Sequence, residues 1–124
     1  MEGLSTITYK NKQIYVIDYS NIGESKEKVL QLLKDAIEEY EKKKLPPRSV
    51  LSLTNVTNLH FDSDVISAFK SQREKSAPFE KKVAVIGMKG LQKVAYNFII
   101  SFTQKDMVRA FDSELEAKEW LVSD

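Results

Sequence analysis

His60 is the chain's single histidine, and Asp62 follows two residues later. An imidazole beside a carboxylate is the pairing from which a general base is built, because the carboxylate orients the ring while the other nitrogen takes a proton. Such a base also needs a substrate pocket, and a carboxylate close in sequence is not yet an orienting partner. No G-x-S-x-G turn offers a serine, and the sequence contains no cysteine. A zinc ion would have to rely on carboxylates and one imidazole, an unusual set for a metal that favours nitrogen and sulfur. His60 therefore reads as a loop residue, and no catalytic residue, metal site or cofactor is expected. Asp18, at the end of an apolar stretch, is a second candidate acid. Its simpler role is to accept hydrogen bonds from loop amides near Asn21.

Residues 85–94 read VIGMKGLQKV. Gly-x-x-Gly between apolar flanks is also how KH-type domains clamp a nucleic-acid backbone. There the residues before the loop are helical. Here Val83, Ala84, Val85 and Ile86 form a short, β-branched apolar run closed by glycine, which is a strand signature. Gly87-Met88-Lys89-Gly90 is then a strand-to-helix turn in which glycine supplies the positive φ. Free amides at a following helix N-terminus keep Gly87, Lys89 and Gly90 as a candidate anion-binding turn, although the fuller G-x-G-x-x-G and G-x-x-x-x-G-K-[ST] patterns are both absent. The net charge is +1, which argues against a protein that grips phosphate backbones, so nucleic acid is not an expected partner.

These residues are positioned by a chain of 124 residues that reads as one domain over 1–124, without repeats or low-complexity tracts. STITY (5–9) and QIYVIDY (13–19) are β-branched and aromatic, with Lys10-Asn11-Lys12 as a hairpin turn. Ser25 caps a helix whose Val29, Leu32, Leu33, Ala36, Ile37 and Tyr40 recur at helical spacing, and Pro46-Pro47 stops it. SVLSLTNV (49–56) is a strand. Asp62 opens a helix that faces Val65, Ile66 and Phe69 to the core. KKVAVIG (81–87) is a central strand, Leu91–Phe102 a helix and MVRAF (107–111) a last strand. Ser113-Glu114-Leu115-Glu116 is a capping box opening a helix that buries Ala117, Trp120 and Leu121. The order β-β-α-β-α-β-α-β-α predicts an α/β fold with a single mixed, mainly parallel five-stranded sheet and four helices.

MEGLSTITYK lacks the basic and apolar regions of a signal peptide. The longest apolar-leaning run, Val94–Phe102, is broken by Asn97 and Ser101 and is well short of the roughly 20 residues a bilayer span needs. A cytoplasmic location without stable membrane insertion is expected. Seven basic residues between Lys70 and Lys93, and six acids between Asp106 and Asp124, are an asymmetry that can mark a partner surface but more simply reads as two solvated faces of one domain.

The element order, together with SVLSLTNVTNLHFDSDVISAFK, VAVIGMKGLQK and FDSELEAKEWL, resembles the STAS-like domain family. This is the fold of sporulation anti-sigma-factor antagonists and of stand-alone bacterial STAS-like proteins related in fold to CRAL-TRIO lipid-binding domains. The resemblance covers essentially the whole chain. In the antagonists a serine within Asp-Ser-Ser-Gly is phosphorylated to control partner binding. The matching residues here are Asp62-Ser63-Asp64-Val65, so Ser63 is the candidate phosphoacceptor. Asp64-Val65 replaces Ser-Gly, and the added carboxylate would repel a phosphate.

The resemblance implies a non-catalytic protein-interaction or regulatory module that binds a protein or a second copy of itself. The alternative it implies is a carrier or sensor of a small apolar molecule or lipid. Tyr9, Tyr15, Tyr19, Phe61, Phe69, Phe98 and Phe102 would then line or fill a cavity. On the helix from Leu91 to Phe102, Tyr96 and Ile100 fall opposite the core face beside Lys93, and these three residues are the candidate interface.

Overall fold

The computed structural model describes residues 3–90, 93, 97 and 107–123. The elements are β1 (Leu4–Tyr9), β2 (Lys12–Asp18), α1 (Lys26–Lys42), β3 (Val50–Asn55), α2 (Ser63–Ser76), β4 (Glu80–Ile86), β5 (Val108–Phe111) and α3 (Glu114–Val122). One sheet runs in the order β1-β2-β3-β4-β5. The β1–β2 pair is antiparallel, and β2–β3, β3–β4 and β4–β5 are parallel. The mixed, mainly parallel five-stranded sheet is as expected. Three helices, not four, appear among the described residues. The helix expected over Leu91–Phe102 lies outside them, except that Lys93 and Asn97 are helical.

Lys10 and Asn11, at φ 49° and 68°, form the tip of the β1–β2 hairpin. Two successive positive φ values are what a type I′ turn requires to match the twist of its strands. Period-2 alternation then assigns the faces. Ile17, Tyr19, Val83 and Val85 meet α1 and α2. Ile14, Leu53 and Ala84 meet Ala117 and Leu121 of α3 on the opposite face. β3 lies between both layers, and Val50 to Thr54 are all buried. Such a strand reads as nearly continuous rather than alternating.

Ser25 caps α1 by accepting the Lys28 amide at 3.4 Å. Val29, Leu32, Leu33, Ala36 and Tyr40 form its buried stripe. The helix ends at Lys42, before Pro46-Pro47. Lys44 turns the chain at φ 51°, and the Leu45 amide bonds back to the Tyr40 carbonyl at 3.3 Å, so the prolines follow the stop instead of causing it. No described helix is long and apolar enough to cross a membrane.

Two side chains depart from the expected surface. Arg73 belongs to the basic run, yet it is only 3% exposed, as is Glu80. Arg73 Nη1 lies 2.6 Å from Glu80 Oε1. Ser76 donates to the same oxygen at 3.1 Å, and Arg73 Nη2 reaches Met107 Sδ at 3.6 Å. The run is thus not one solvated face. Trp120 is half-buried instead of core. Its ring packs on Phe111 with centroids 5.5 Å apart, while Lys82 Nζ and the Arg109 guanidinium sit 5.2 and 5.3 Å from its centroid. α3 lies over β3, β4 and β5, and the indole reaches the β5 edge, where two cations shield its face.

Glu80→Ala leaves a buried guanidinium uncompensated and should cost about 3–5 kcal/mol in urea unfolding. Tyr40 offers a contrast. Its hydroxyl is buried with no hydrogen-bond partner among the described residues, and burial, then the Glu80 charge, pushes its ionisation well above the ordinary phenol value. Tyr40→Phe removes an unsatisfied group and should leave the urea midpoint unchanged or raise it.

Candidate functional site

Three loops converge at the carboxyl ends of β2, β3 and β4, and backbone contact holds them together. The Tyr19 amide bonds to the Asn55 carbonyl at 2.9 Å, and the Val56 amide to the Ile86 carbonyl at 3.0 Å. The His60 amide reaches the Gly23 carbonyl at 3.4 Å. Gly23 has no room for a side chain, because a Cβ there would lie 2.8 Å from Leu59 Cα. Gly87 combines φ 87° with equal crowding, its Cβ position being 2.7 Å from the Thr57 amide nitrogen. Gly90, at φ 54°, has open space around it.

Polar side chains in these loops close their own turns. Asn55 Oδ1 accepts from the Thr57 amide at 3.0 Å and from Thr57 Oγ1 at 2.6 Å. Asn58 adopts φ 62°, a conformation asparagine tolerates better than most residues. Asp18 Oδ1 accepts from the Ser20 amide at 2.9 Å, the role expected for it. The result is an open cleft of about 520 Å³ lined by Glu24, Thr57, Asn58, Leu59, His60, Gly87 and Lys89. A second hollow of about 420 Å³, formed by Ser20 to Ser25 with Lys28, shares Glu24 and Asn58 with it.

α2 begins at the rim of this surface. Asp62 is its N-cap, with Oδ1 accepting the Val65 amide at 2.9 Å. Its Oδ2 lies 2.9 Å from Lys26 Nζ, and Asp64 Oδ2 lies at the same distance from that ammonium. The Lys26 ammonium, then the Val65 amide, holds the Asp62 carboxyl below its ordinary range. Lys26 is correspondingly held above its own, first by Asp64 and then by Asp62. Ser63 is exposed on the first helical residue between these two carboxylates. A phosphate added there would face both, with Lys26 already shared between them.

The structure brings His60, Gly87 and Lys89 to one cleft, with Ser63 on the adjoining helix. It does not join His60 to Asp62 as a base with its orienting carboxylate, since Asp62 is committed to Val65 and Lys26. Lys93 is exposed, and its amide bonds to the Gly90 carbonyl at 3.1 Å. Tyr96 and Ile100, the rest of the expected interface, lie outside the described residues, as do Phe98 and Phe102. Among the described residues no three His, Cys, Asp or Glu side chains gather as metal ligands would.

The aromatic residues on the α1–α2 face pack on one another. Tyr15 meets Tyr40 edge-on at 5.2 Å, and Phe69 meets Tyr19 and Phe61 at 5.5 and 5.4 Å. Tyr9 is on the other face and donates to Glu119 Oε1 at 2.6 Å.

A solved structure shares the fold. It is that of an uncharacterised DUF3478-family protein with a SpoIIAA-like fold from Shewanella loihica PV-4, with a TM-score of 0.66, 18% sequence identity, and coverage of 95% of this chain and 91% of that one. The fold is SpoIIAA-like. No protein-family model and no curated protein matches the chain. Within this SpoIIAA-like fold the loop cluster, the cleft and the start of α2 form one continuous polar end of the sheet.

Sequence reading had passed over Gly23, Thr57, Asn58 and Lys26. The first three carried a signal, because Gly, Asn and Thr crowd NIGES (21–25) and NVTN (55–58) as they do in tight turns. Lys26 carried none, since its partners stand 36 and 38 residues further along the chain.

Asp62→Ala removes the cap and should lower the melting temperature at pH 7 by about a few degrees. Ser63→Ala, exposed and outside the cap, should leave it unchanged. Because the folded-state pKa of Asp62 is depressed, its contribution is complete above the unfolded aspartate value of about 3.9 and is lost as pH falls through the lower folded value. The difference between wild type and Asp62→Ala should therefore shrink when the melts are repeated below that pH.

Proposed function

We propose that this chain is a non-catalytic protein-interaction or regulatory module of the STAS-like type, and that the polar end of its sheet is where a protein partner is recognised. The observation that carries this reading is the backbone-locked convergence of three loops. Contacts at Gly23 and Gly87 hold the loops, their short polar side chains close the turns, and the longer charged and imidazole groups stand outward. Pre-organised surfaces of this kind lose little conformational freedom on binding. Glu24, His60, Asp64 and Lys89 are all exposed there, so complementary charge on a partner would set its orientation more than its raw affinity. Ser63 stands on the same surface, where a change in its charge would alter what the partner meets.

A carrier of a small apolar molecule is the second reading. In its favour is a groove of about 440 Å³ between α1 and α2, floored by Leu30, Leu33, Ile37 and Ala68. Against it, the groove lies open on the surface with Lys34, Glu38, Glu41 and Lys75 along its walls. The described aromatic rings beneath it pack on one another.

The readings separate experimentally. Immobilised wild-type chain should retain a cytosolic protein that is lost with the combined His60→Glu and Asp64→Lys variant, yet kept by Lys81→Glu at the opposite end of the sheet. Native mass spectrometry of freshly purified protein should show no added small-molecule mass. A co-purifying lipid, or capture indifferent to His60 and Asp64, would overturn the proposal.

A further inference from the structure

β1 closes one side of the sheet, and its register shows which backbone groups face outward. The Asp18 amide bonds to the Gly3 carbonyl at 2.7 Å, and the pairing continues as Ser5 with Val16, Ile7 with Ile14 and Tyr9 with Lys12. Hydrogen-bonded pairs alternate with non-bonded pairs along an antiparallel ladder. Gly3, Ser5, Ile7 and Tyr9 therefore turn their backbone groups toward β2, while Leu4, Thr6 and Thr8 direct theirs to the open side.

Proteins usually protect such an edge with lysine, proline, a bulge or a very short strand. β1 has none of these. It is six residues long, LSTITY, its register with β2 is unbroken, and Ser5, Thr6 and Thr8 are exposed. The other edge differs. β5 has only four residues and carries Arg109 in its middle.

We propose that the β1 edge is a self-association site, where two copies of this chain pair their β1 strands antiparallel about a two-fold axis and join two sheets into one. Several features favour a second copy as the occupant. The strand bears no charge, so its own copy brings no like charges opposite one another. Centred on Thr6, the pairing sets Thr6 against Thr6 and Leu4 against Thr8, so every outward-facing residue of one strand meets an outward-facing residue of the other. Antiparallel placement also sends the two Lys10 side chains, each held by its own Glu119 at 2.8 Å, to opposite ends. The contact is isologous and closes on itself, because each copy's β1 edge is used up in the pair. This surface lies along the side of the sheet, apart from the loop cluster proposed for a protein partner, and the two proposals stand or fall separately.

Sedimentation of wild type across a concentration series should show a monomer–dimer equilibrium. Thr6→Pro deletes an outward donor that the β1–β2 ladder does not use, a position where an edge strand tolerates proline. It should stay folded by circular dichroism and weaken dimerisation by about tenfold or more. Thr6→Lys places two like charges opposite each other and should do the same, carrying the test should the proline variant unfold. The absence of native cysteine makes Thr6→Cys a clean register probe. Cα atoms of a hydrogen-bonded antiparallel pair lie about 5.5 Å apart, within disulfide reach, so mild oxidation should crosslink Thr6→Cys far faster than an exposed Lys81→Cys control. A wild type that stays monomeric throughout overturns the proposal and leaves the edge to other chains. So does a folded Thr6→Lys variant that dimerises as wild type does, since the dimer would then use another face. Crosslinking no faster at Thr6 than at Lys81 overturns the register.

Discussion

The Arg73–Glu80 pair constrains the fold more than any other polar contact described. Two full charges removed from water are tolerated only when they meet in good geometry with further hydrogen bonds. Arg73 Nη1 and the Ser76 hydroxyl both reach Glu80 Oε1. Arg73 stands in the last turn of α2 and Glu80 begins β4, so the contact fixes how far α2 slides along the sheet before the chain turns back. Displacing α2 by one turn would strand a charge in the core. The far end of α2 is held as well, through Lys26 at the start of α1. The start of α2 at the polar end of the sheet is therefore placed partly by a pair buried at the other end.

Much of this arrangement was legible in the chain. Both hairpin strands, the β-branched runs of β3 and β4, and the caps at Ser25, Asp62 and Ser113 are local signals. A strand or cap is written within a few consecutive residues and needs no knowledge of what packs on it. Reading Val83 to Ile86 as strand also told against a KH-type clamp, since in those domains Gly-x-x-Gly follows a helix, whereas here it follows β4. Pro46-Pro47 is a loud stop signal that stands just beyond the end of α1 at Lys42, while the residue that turns the chain, Lys44 in the left-handed region, gives almost none.

Contacts between distant elements were not legible. Arg73 and Glu80 looked like members of a charge run because nothing local distinguishes a buried arginine from a solvated one. Trp120 fell on the helical apolar stripe with Ala117 and Leu121, yet that stripe does not reveal that α3 ends over an edge strand. There Lys82 also donates to the Trp120 and Ser123 carbonyls at 2.8 and 2.7 Å, satisfying acceptors that a helix C-terminus leaves open. One lysine of the supposed surface run is thus a helix cap, and one arginine is core. The net basic appearance of 70–93 overstated how much positive charge faces water.

The candidate site was half legible for the same reason. Gly87 and Lys89 stood out through the Gly-x-x-Gly pattern and Ser63 through the family resemblance, while His60 read as a plain loop residue, and how the four lie together depends on how three loops meet. That meeting is governed by backbone contacts at Gly23 and Gly87, where a side chain would have nowhere to go. Loops joined through backbone ask little of outward side chains such as Glu24 and His60, which are exposed. The reverse holds along β1, where the backbone itself is presented and side chains matter mainly by carrying no charge. The two proposed surfaces thus follow opposite logic, one offering side chains on a locked backbone and the other offering backbone between neutral side chains.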